Sequence, residues 1–325
     1  MENSSYIQSK EGLVKNDEVD LRELFIFIWS KKLLIALITS IISIAVVIYA
    51  LQLPNIYKAE ALLSPAEQQQ NNGLASLAGQ FGGIANLAGV DLGGSSSSSK
   101  TGLAIEVLKS RKFSSKFIEQ HDILKDLMAV KEWDLYQNKI SYDKEIFNSE
   151  TQEWVREVKL PFKAKPSMQE AYIKLQEAMS VELDPDTGMI KLSVEHYSPY
   201  IAKNWVDWLV TDINEVMRIR DVDEAQKSTL FLTQQIQNTE ISNMKSILFT
   251  LLEEQAKIIM FANVRTEYVF KTVDPAIVPE KKFKPRRSLI CILGFLAGLL
   301  LSLFIVSVMY LSSNPEESIN EHTNG

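Results

Sequence analysis

Two long apolar segments near the ends of the chain dominate its pattern of hydrophobic and polar residues. Leu33–Leu53 and Ser288–Leu311 contain no charged residue. At a rise of about 1.5 Å per residue they extend about 31 Å and about 36 Å, whereas the hydrocarbon core of a bilayer is about 30 Å thick. Uncharged runs of this length are rare in soluble cores. The pattern therefore predicts two transmembrane helices.

These two helices divide the chain into five parts. The polar segment 1–32 precedes the first helix, 33–53, so we expect that helix to be an anchor and not a cleaved signal peptide. Residues 54–287 form one large domain, the second helix spans 288–311, and residues 312–325 form a tail. With two crossings, both termini lie on one side of the membrane and the large domain lies on the other.

The charges that flank the two helices favour opposite orientations in the membrane. Lys31 and Lys32 favour a cytoplasmic N-terminus, whereas the five cations of segment 281–287 favour a cytoplasmic domain. The positive-inside bias is weak for long loops, and the first helix usually sets the orientation. We therefore expect cytoplasmic termini and a domain on the outer side.

Four strands are predicted within the domain. The alternation in Tyr57–Ser64 predicts a strand that stops at Pro65. Residues 181–194 predict a hairpin that turns at Asp184–Gly188, with one face of its strands buried. A last strand, over 268–273, is expected to lie beside the first and to bring the membrane helices together.

Helical signals separate these strands. An apolar stripe begins after Thr101, and Ser167–Glu170 is a capping box that opens another helix. Ser198 and Pro199 then start a long helix as N-cap and first helical residue. The thin apolar face of residues 221–243 indicates packing against other helices or other copies of the chain.

A low-complexity stretch, residues 68–99, is rich in Gln, Asn, Gly, Ala and Ser. Its few large apolar side chains predict a mobile or ligand-facing loop, and the spacing from Leu74 to Leu87 leaves a short helix open. Residues 94–101 resemble a phosphate-binding loop, but Ser99 stands where glycine is needed and no apolar strand precedes it. We therefore predict no nucleotide site there.

Composition and isolated reactive residues argue against an enzyme. The net charge of −7, from 34 Lys and Arg against 41 Asp and Glu, does not indicate a nucleic-acid partner. Cys291 is the only cysteine, and His121, His196 and His322 have no second ligand at metal-binding spacing. The acidic pair Glu253–Glu254 fits exposed helix pairs with a nearby lysine. We assign no catalytic, cofactor-binding or metal-binding residue.

Four segments occur in an order and spacing that resemble a known family, the Wzz or chain-length determinant family of polysaccharide co-polymerases. The resemblance covers almost the whole chain. The segments are Asp20–Leu24 with Trp29 and Lys31 before the first membrane helix and Leu53–Glu60 after it; Asp186–Ile190 followed by Ser198-Pro199 and Ala202–Val210; Asp274–Pro279 continuing through Pro285-Arg286-Arg287; and the second membrane helix with Gly294 and Gly298.

The resemblance implies an α+β fold in which two transmembrane helices flank one large periplasmic domain, with a membrane-proximal mixed sheet and a long projecting helix. It implies a bacterial inner-membrane protein with cytoplasmic termini that assembles into homo-oligomeric rings. It implies a regulator of surface polysaccharide length, commonly of lipopolysaccharide O-antigen, that acts on a separate membrane-embedded Wzy-type polymerase. Contact with the growing polysaccharide stays open. No catalysis and no cofactor are implied.

Two other functions stay open at this point. Capsule or exopolysaccharide co-polymerases of the same family carry or partner a cytoplasmic tyrosine kinase, and the tail 312–325 has neither tyrosine nor a glycine-rich motif. We therefore expect no fused kinase, although a separate one would fit. An extracytoplasmic sensor is the other alternative, and no signalling output domain is evident in the sequence.

Five residues at the second membrane helix are the candidate site. Gly294 and Gly298 lie on one helix face, where the absence of side chains would let another backbone approach closely. Pro275, Pro279 and Pro285 would set the direction in which the chain enters that helix, because proline fixes φ. On the implied topology, the neighbouring cations would lie beside anionic lipid headgroups.

Overall fold

The computed structural model describes residues 26, 28–66 and 96–313. The chain divides into two compact units, residues 1–53 with 286–325, and residues 54–285. In chain order the elements are α1 (Lys32–Gln52), β1 (Tyr57–Pro65), α2 (Ser96–Lys109), α3 (Arg111–Gln120), α4 (Leu124–Met128), β2 (Val130–Asp134), β3 (Lys139–Tyr142), β4 (Phe147–Asn148), β5 (Glu153–Trp154), α5 (Met168–Ala178), β6 (Met179–Leu183), β7 (Ile190–His196), α6 (Pro199–Asn238), α7 (Ser242–Val264), β8 (Phe270–Asp274) and α8 (Arg287–Ser313).

The first unit contains the two predicted membrane helices, α1 and α8, which pack against each other. Lys32–Gln52 and Arg287–Tyr310 are both long and apolar enough to cross a membrane. Most of their large apolar side chains are exposed, as expected for helices whose surroundings would be lipid.

The second unit is built on a four-stranded sheet in the order β6-β7-β1-β8. All three pairings are antiparallel, so the sheet is antiparallel and the expected mixed sheet is wrong. The reason lies in the connections: β6 and β7 form a hairpin, and β8 returns along β1 in the opposite direction. Gly188 in the hairpin turn has a φ of +67°, which glycine adopts without strain. The predicted hairpin and the predicted pairing of the last strand with the first are both confirmed.

The core lies where one face of the sheet meets the helices. Ile190, Leu192 and Val194 on β7 are fully buried, which confirms that the alternating pattern marks one buried face. Helix α6 packs across β1 and β7. The largest buried side chains of the domain include Trp205, Phe117, Phe270, Leu209 and Ile213.

The predicted long helix, α6, has 40 residues and is about 60 Å long at about 1.5 Å per residue. It ends at Asn238, and after a short break α7 packs back against it. The break was not predicted, because this stretch has no Gly or Pro. Thr239 is extended there, with φ −103° and ψ 128°. β-branched residues such as Thr239 and Ile241 favour such extended backbone over helix.

The predicted cap positions of α5 and α6 are both confirmed, with Pro199 as the first residue of α6, but the two caps differ in their hydrogen bonds. The capping box at α5 is confirmed, since Ser167 Oγ accepts from the Glu170 N–H and the Glu170 carboxylate accepts from the Ser167 N–H. Ser198 is the N-cap residue of α6, but its side chain makes no capping bond to any residue that the structure describes. Instead its backbone N–H donates to His196 Nδ1 at 3.0 Å.

Asn214 on α6 joins the long helix to the edge strand β8. Its side-chain oxygen accepts from the N–H groups of Val269 and Phe270, at 2.8 and 2.9 Å, and its amide donates to the carbonyls of Val210 and Phe270 at 3.0 Å. The residue is 4% exposed. Its amide therefore satisfies backbone groups of β8 in place of a further strand.

The low-complexity stretch is only partly visible. Residues 67–95, including the spacing from Leu74 to Leu87, lie outside the described residues. Helix α2 begins at Ser96, earlier than the predicted start after Thr101. Lys100, the lysine of the resemblance to a phosphate-binding loop, lies within this helix and its Nζ is 2.9 Å from Asp221 Oδ2. It therefore serves as an ion-pair partner to α6.

Candidate functional site

Gly294 and Gly298 face the first membrane helix. A Cβ atom on Gly294 would lie 2.5 Å from Val46 Cγ1, and one on Gly298 would lie 3.1 Å from Ile42 Cγ2. Real Cβ atoms do not approach a neighbour as closely as the first distance, so α1 and α8 can pack this tightly only because Gly294 has no side chain. The face of α8 that the spacing of the two glycines identifies is therefore the face that contacts α1.

A hydrogen bond joins the same two helices one turn further along. Thr39 Oγ1 and Ser302 Oγ are 3.2 Å apart, and both side chains are buried. Since Ser302 donates its single hydroxyl hydrogen to the Leu299 carbonyl at 2.8 Å, Thr39 is the donor. This pair was not predicted from the sequence. The spacing of Gly294 and Gly298 continues to Ser302, and this repeat of small residues was the available signal.

The three prolines lie between β8 and α8. Pro275 and Pro279 occupy a stretch without regular secondary structure, and α8 begins two residues after Pro285. Between the first two prolines Ala276 is buried in the core, 4% exposed, which anchors the stretch to the domain. That these prolines direct the chain into the membrane helix stays a prediction.

Residues close to the two ends of the domain pair with each other. Ile56 N–H donates to the Lys284 carbonyl at 2.9 Å, and the Ile56 carbonyl accepts from Phe283 N–H at 2.8 Å and from Lys284 N–H at 3.2 Å. We call this pairing the basal bridge. It holds the residues just after α1 beside those just before α8 within the domain.

The α6–α7 helical pair exposes many large apolar side chains. Phe231 is 60% exposed and Phe249 is 54% exposed. Apolar surface of this extent is typical of protein–protein contact. Other exposed members are Ile219, Leu230, Ile241, Met244, Ile247, Leu251, Met260 and Val264.

The described histidines have structural partners. The imidazole of His196 is buried, donates from Nε2 to the Asp126 carbonyl at 2.9 Å and accepts from the Ser198 N–H. Burial lowers its pKa, because removal from water disfavours the charged form. His121 lies 2.9 Å from Asp212 and stacks on Trp208 with ring centroids 4.4 Å apart.

Asp126 links this region to the small β2–β3 hairpin. Its carboxylate accepts from the Tyr142 hydroxyl, and the pKa of Tyr142 is raised by burial and by this carboxylate. Within the ranges that the structure covers, no group of three or more His, Cys, Asp or Glu side chains could hold a metal ion. His322 lies outside the described residues.

Part of this chain is similar to a known protein family. Residues 17–121 match the family model described as Wzz, chain length determinant protein. The resemblance to the Wzz family is confirmed over this part of the chain. The match includes the first membrane helix, β1 and helices α2 and α3. No curated protein matches the chain significantly.

Solved structures of polysaccharide co-polymerases are also similar to this chain. One, described as a full-length bacterial polysaccharide co-polymerase, is 13% identical, with 92% of this chain and 100% of that chain covered and a TM-score of 0.37. Another is a fragment of WzzB, a polysaccharide co-polymerase from Salmonella Typhimurium. It is 13% identical, with 71% of this chain and 100% of that chain covered and a TM-score of 0.32.

Proposed function

We propose that this protein regulates the chain length of a surface polysaccharide, with lipopolysaccharide O-antigen as the product, and acts as an oligomeric co-polymerase on a separate Wzy-type polymerase. The observation that carries the proposal is the match of residues 17–121 to the chain length determinant family. Two helices that are long and apolar enough to cross a membrane flank one large domain in the sequence, which is consistent with it. In this role the protein positions or limits a partner enzyme and performs no chemistry itself.

A deletion strain tests this function directly. Because the polymerase is a separate protein, loss of the regulator should leave polymer synthesis intact and remove only the preferred length. Gel analysis of lipopolysaccharide should then show a broad ladder in place of a modal cluster, and a plasmid copy of the gene should restore the cluster. Complete absence of polymer would contradict the proposal, because it would indicate an enzyme or a transporter.

The proposed location is the bacterial inner membrane, with cytoplasmic termini and a periplasmic domain. Ser141 is exposed on β3 and suits a topology probe. In a Cys291→Ala background, Ser141→Cys should react in intact cells with a thiol reagent that crosses only the outer membrane. Ser9→Cys, in the N-terminal segment, is the matched control and should react only after the inner membrane is opened. The reverse labelling would contradict the orientation.

A ring of identical copies is the proposed assembly, and the exposed apolar side chains on α6 and α7 support it. Leu230→Glu with Phe231→Glu places two charges on that surface and should reduce the oligomer size measured by light scattering of the detergent-solubilised full chain. Gln234→Glu with Gln237→Glu adds the same charge at polar positions of the same helix. This control should keep the wild-type size. An unchanged oligomer in the first variant would show that this surface is not the contact.

A further inference from the structure

The strongest feature that the proposed function does not use is a run of cations at the end of the domain. Residues 281–287, here called the basic segment, contain five Lys or Arg residues among seven. The segment ends at Arg287, the first residue of α8. At no more than about 3.5 Å per residue, Lys281 lies within about 21 Å of the start of that helix. The chain itself therefore keeps these cations near the membrane surface.

The backbone of the basic segment is fixed by the basal bridge. Phe283 and Lys284 both donate to the Ile56 carbonyl, and the Lys284 carbonyl accepts from the Ile56 N–H. Ile56 itself follows the end of α1 by four residues. The cations are therefore presented by an ordered backbone, and binding there would not require ordering of a free loop.

One lysine of the segment and Lys58 place positive charge at the same aromatic ring. Lys58 Nζ lies 5.2 Å from the centroid of the Phe283 ring, and Lys284 Nζ lies 5.3 Å from it. Both ammonium groups therefore lie at the same ring, and an anion beside either of them would gain a favourable charge interaction.

Carboxylates in the same region neutralise only part of this charge. Lys284 Nζ is 2.6 Å from Glu195 Oε2, and Lys58 Nζ is 3.6 Å from Glu60 Oε2. Lys281 and Lys282 are exposed and form no ion pair with any residue of the described ranges. Positive charge therefore remains available at Lys281 and Lys282, the first two cations of the segment.

The excess of positive charge is unusual for a domain on the outer side of the membrane, and that orientation rests on the proposed function. With the domain on the outer side, the basic segment opposes the usual bias that places Lys and Arg on the cytoplasmic side. A cluster of cations beside a membrane helix attracts anionic lipid headgroups.

We propose that the basic segment and Lys58 form a binding surface for the phosphate groups of anionic membrane lipids. Lys281 and Lys282 contact headgroup phosphates directly, and Lys58 and Lys284 hold a phosphate beside the Phe283 ring. The interaction attaches this part of the chain to the lipid surface.

Native mass spectrometry of the full-length protein in a neutral detergent tests this proposal. The protein is titrated with phosphatidylglycerol or with phosphatidylcholine, and the ratio of the two affinities is measured. The variant Lys281→Gln, Lys282→Gln, Lys284→Gln and Arg286→Gln should lower that ratio by about fivefold for each cation that contributes fully, and by about tenfold or more in total. Lys281→Gln with Lys282→Gln alone should give a smaller loss and leaves the ion pair with Glu195 intact.

The matched control removes the same charge elsewhere on the domain. Lys131, Lys139, Lys159 and Lys163 are exposed, and their replacement by Gln should leave the ratio unchanged. An equal loss in this control, or no loss in either basic-segment variant, would overturn the proposal. Displacement of phosphatidylglycerol by excess inorganic phosphate would show a site for free phosphate and overturn the assignment to lipid. The measurement does not depend on membrane orientation or polymer length, so its failure would leave the proposed function standing.

Discussion

Thr39 in α1 donates a hydrogen bond to Ser302 in α8, and the two oxygens are 3.2 Å apart. Thr39 is 5% exposed and Ser302 is fully buried. Lipid offers these hydroxyls no alternative partner, so the bond favours association of the two helices. It also favours this register of the two helices, because a shift along either axis would separate these two buried hydroxyls.

We expect Thr39→Val, which keeps the shape but removes the donor, to weaken the α1–α8 contact by about 0.5–2 kcal/mol. Resistance of the full-length protein to unfolding by a denaturing detergent measures this change. A double-mutant cycle with Ser302→Ala should show coupling between the two positions.

Ser43→Ala is the control for this cycle. The Ser43 hydroxyl donates to the Thr39 carbonyl of its own helix at 2.7 Å and makes no bond to α8 among the described residues. Its loss should not couple to Ser302. Additive effects of Thr39→Val and Ser302→Ala would show that the bond contributes nothing to helix pairing.

The second prediction concerns Gly294. Its substitution by Ala should separate α1 from α8, because the new Cβ would meet Val46 Cγ1 at 2.5 Å and Val46 Cβ at 2.9 Å. Gly298→Ala should be milder, since the closest approach there is 3.1 Å to Ile42 Cγ2. Cross-linking between cysteines at positions 39 and 302, in a Cys291→Ala background, measures helix proximity and should fall in the first variant.

A compensating variant tests whether the contact with Val46 causes the loss of cross-linking. Val46→Gly removes the side chain that the new Cβ meets, so Gly294→Ala with Val46→Gly should recover most of the cross-linking. If pairing of these helices matters for the proposed function, Gly294→Leu with Gly298→Leu should broaden the polysaccharide length distribution while membrane insertion stays intact. Pro279→Ala should be milder. A wild-type cross-linking yield for Gly294→Ala alone would show that this face does not contact α1.

Local chemistry explains which parts of the fold could be predicted from the sequence. The capping box at Ser167 and Glu170 and the turn at Gly188 depend on residues only a few positions apart, so a single sequence contains all the information. The break after Asn238 could not be predicted, because no Gly or Pro marks it. After the break α7 packs back along α6, and that contact is not visible in a local pattern.

The candidate site also has features that a local sequence pattern predicts and others that it does not. The spacing of Gly294 and Gly298 identifies a helix face, but it does not name Val46 or Ile42 as the residues opposite, because the partner lies far away in the sequence. Asn214 was missed for the same reason, since an isolated Asn in a long helix has no local signal for its bonds to β8. Predicting an antiparallel sheet would have required knowing which strands are neighbours.

The third prediction compares two glycines that differ only in backbone conformation. A Cβ on Gly188 or on Gly102 would have no heavy atom within 4 Å, but only Gly188 has a positive φ. Gly188→Ala should therefore destabilise the protein by about 1–2 kcal/mol. Gly102→Ala, inside α2, should stabilise it by about 0.5–1 kcal/mol, because alanine loses less backbone entropy in a helix.

Urea unfolding of the full-length protein, followed by tryptophan fluorescence, measures both changes. Gly188→Asn should lie between wild type and Gly188→Ala, since asparagine tolerates the left-handed region better than alanine does. Equal effects of Ala at the two positions would show that the backbone conformation of the hairpin turn does not limit stability.

The fourth prediction concerns stability in mild acid and rests on His196. Burial lowers the pKa of His196 below its ordinary value of 6.5, because the charged imidazole is removed from water. The folded state then binds fewer protons than the unfolded state as the pH falls below 6.5, so the free energy of unfolding decreases with falling pH. Above that pH both states are neutral at this position and the contribution is constant. A proton on Nδ1 would also remove the acceptor of the Ser198 N–H at the start of α6.

Unfolding of the full-length protein between pH 8 and pH 5.5 tests this sign, with Trp205 as a reporter because its ring centroid is 5.0 Å from that of His196. His196→Asn can still offer an oxygen to the Ser198 N–H but loses the bond to the Asp126 carbonyl. It should therefore be less stable than wild type at pH 8 and should lose most of the dependence between pH 6.5 and pH 5.5. His121→Asn leaves the His196 contacts in place and should keep that dependence. If His196→Asn retained the full wild-type dependence, another group would be responsible for the acid sensitivity.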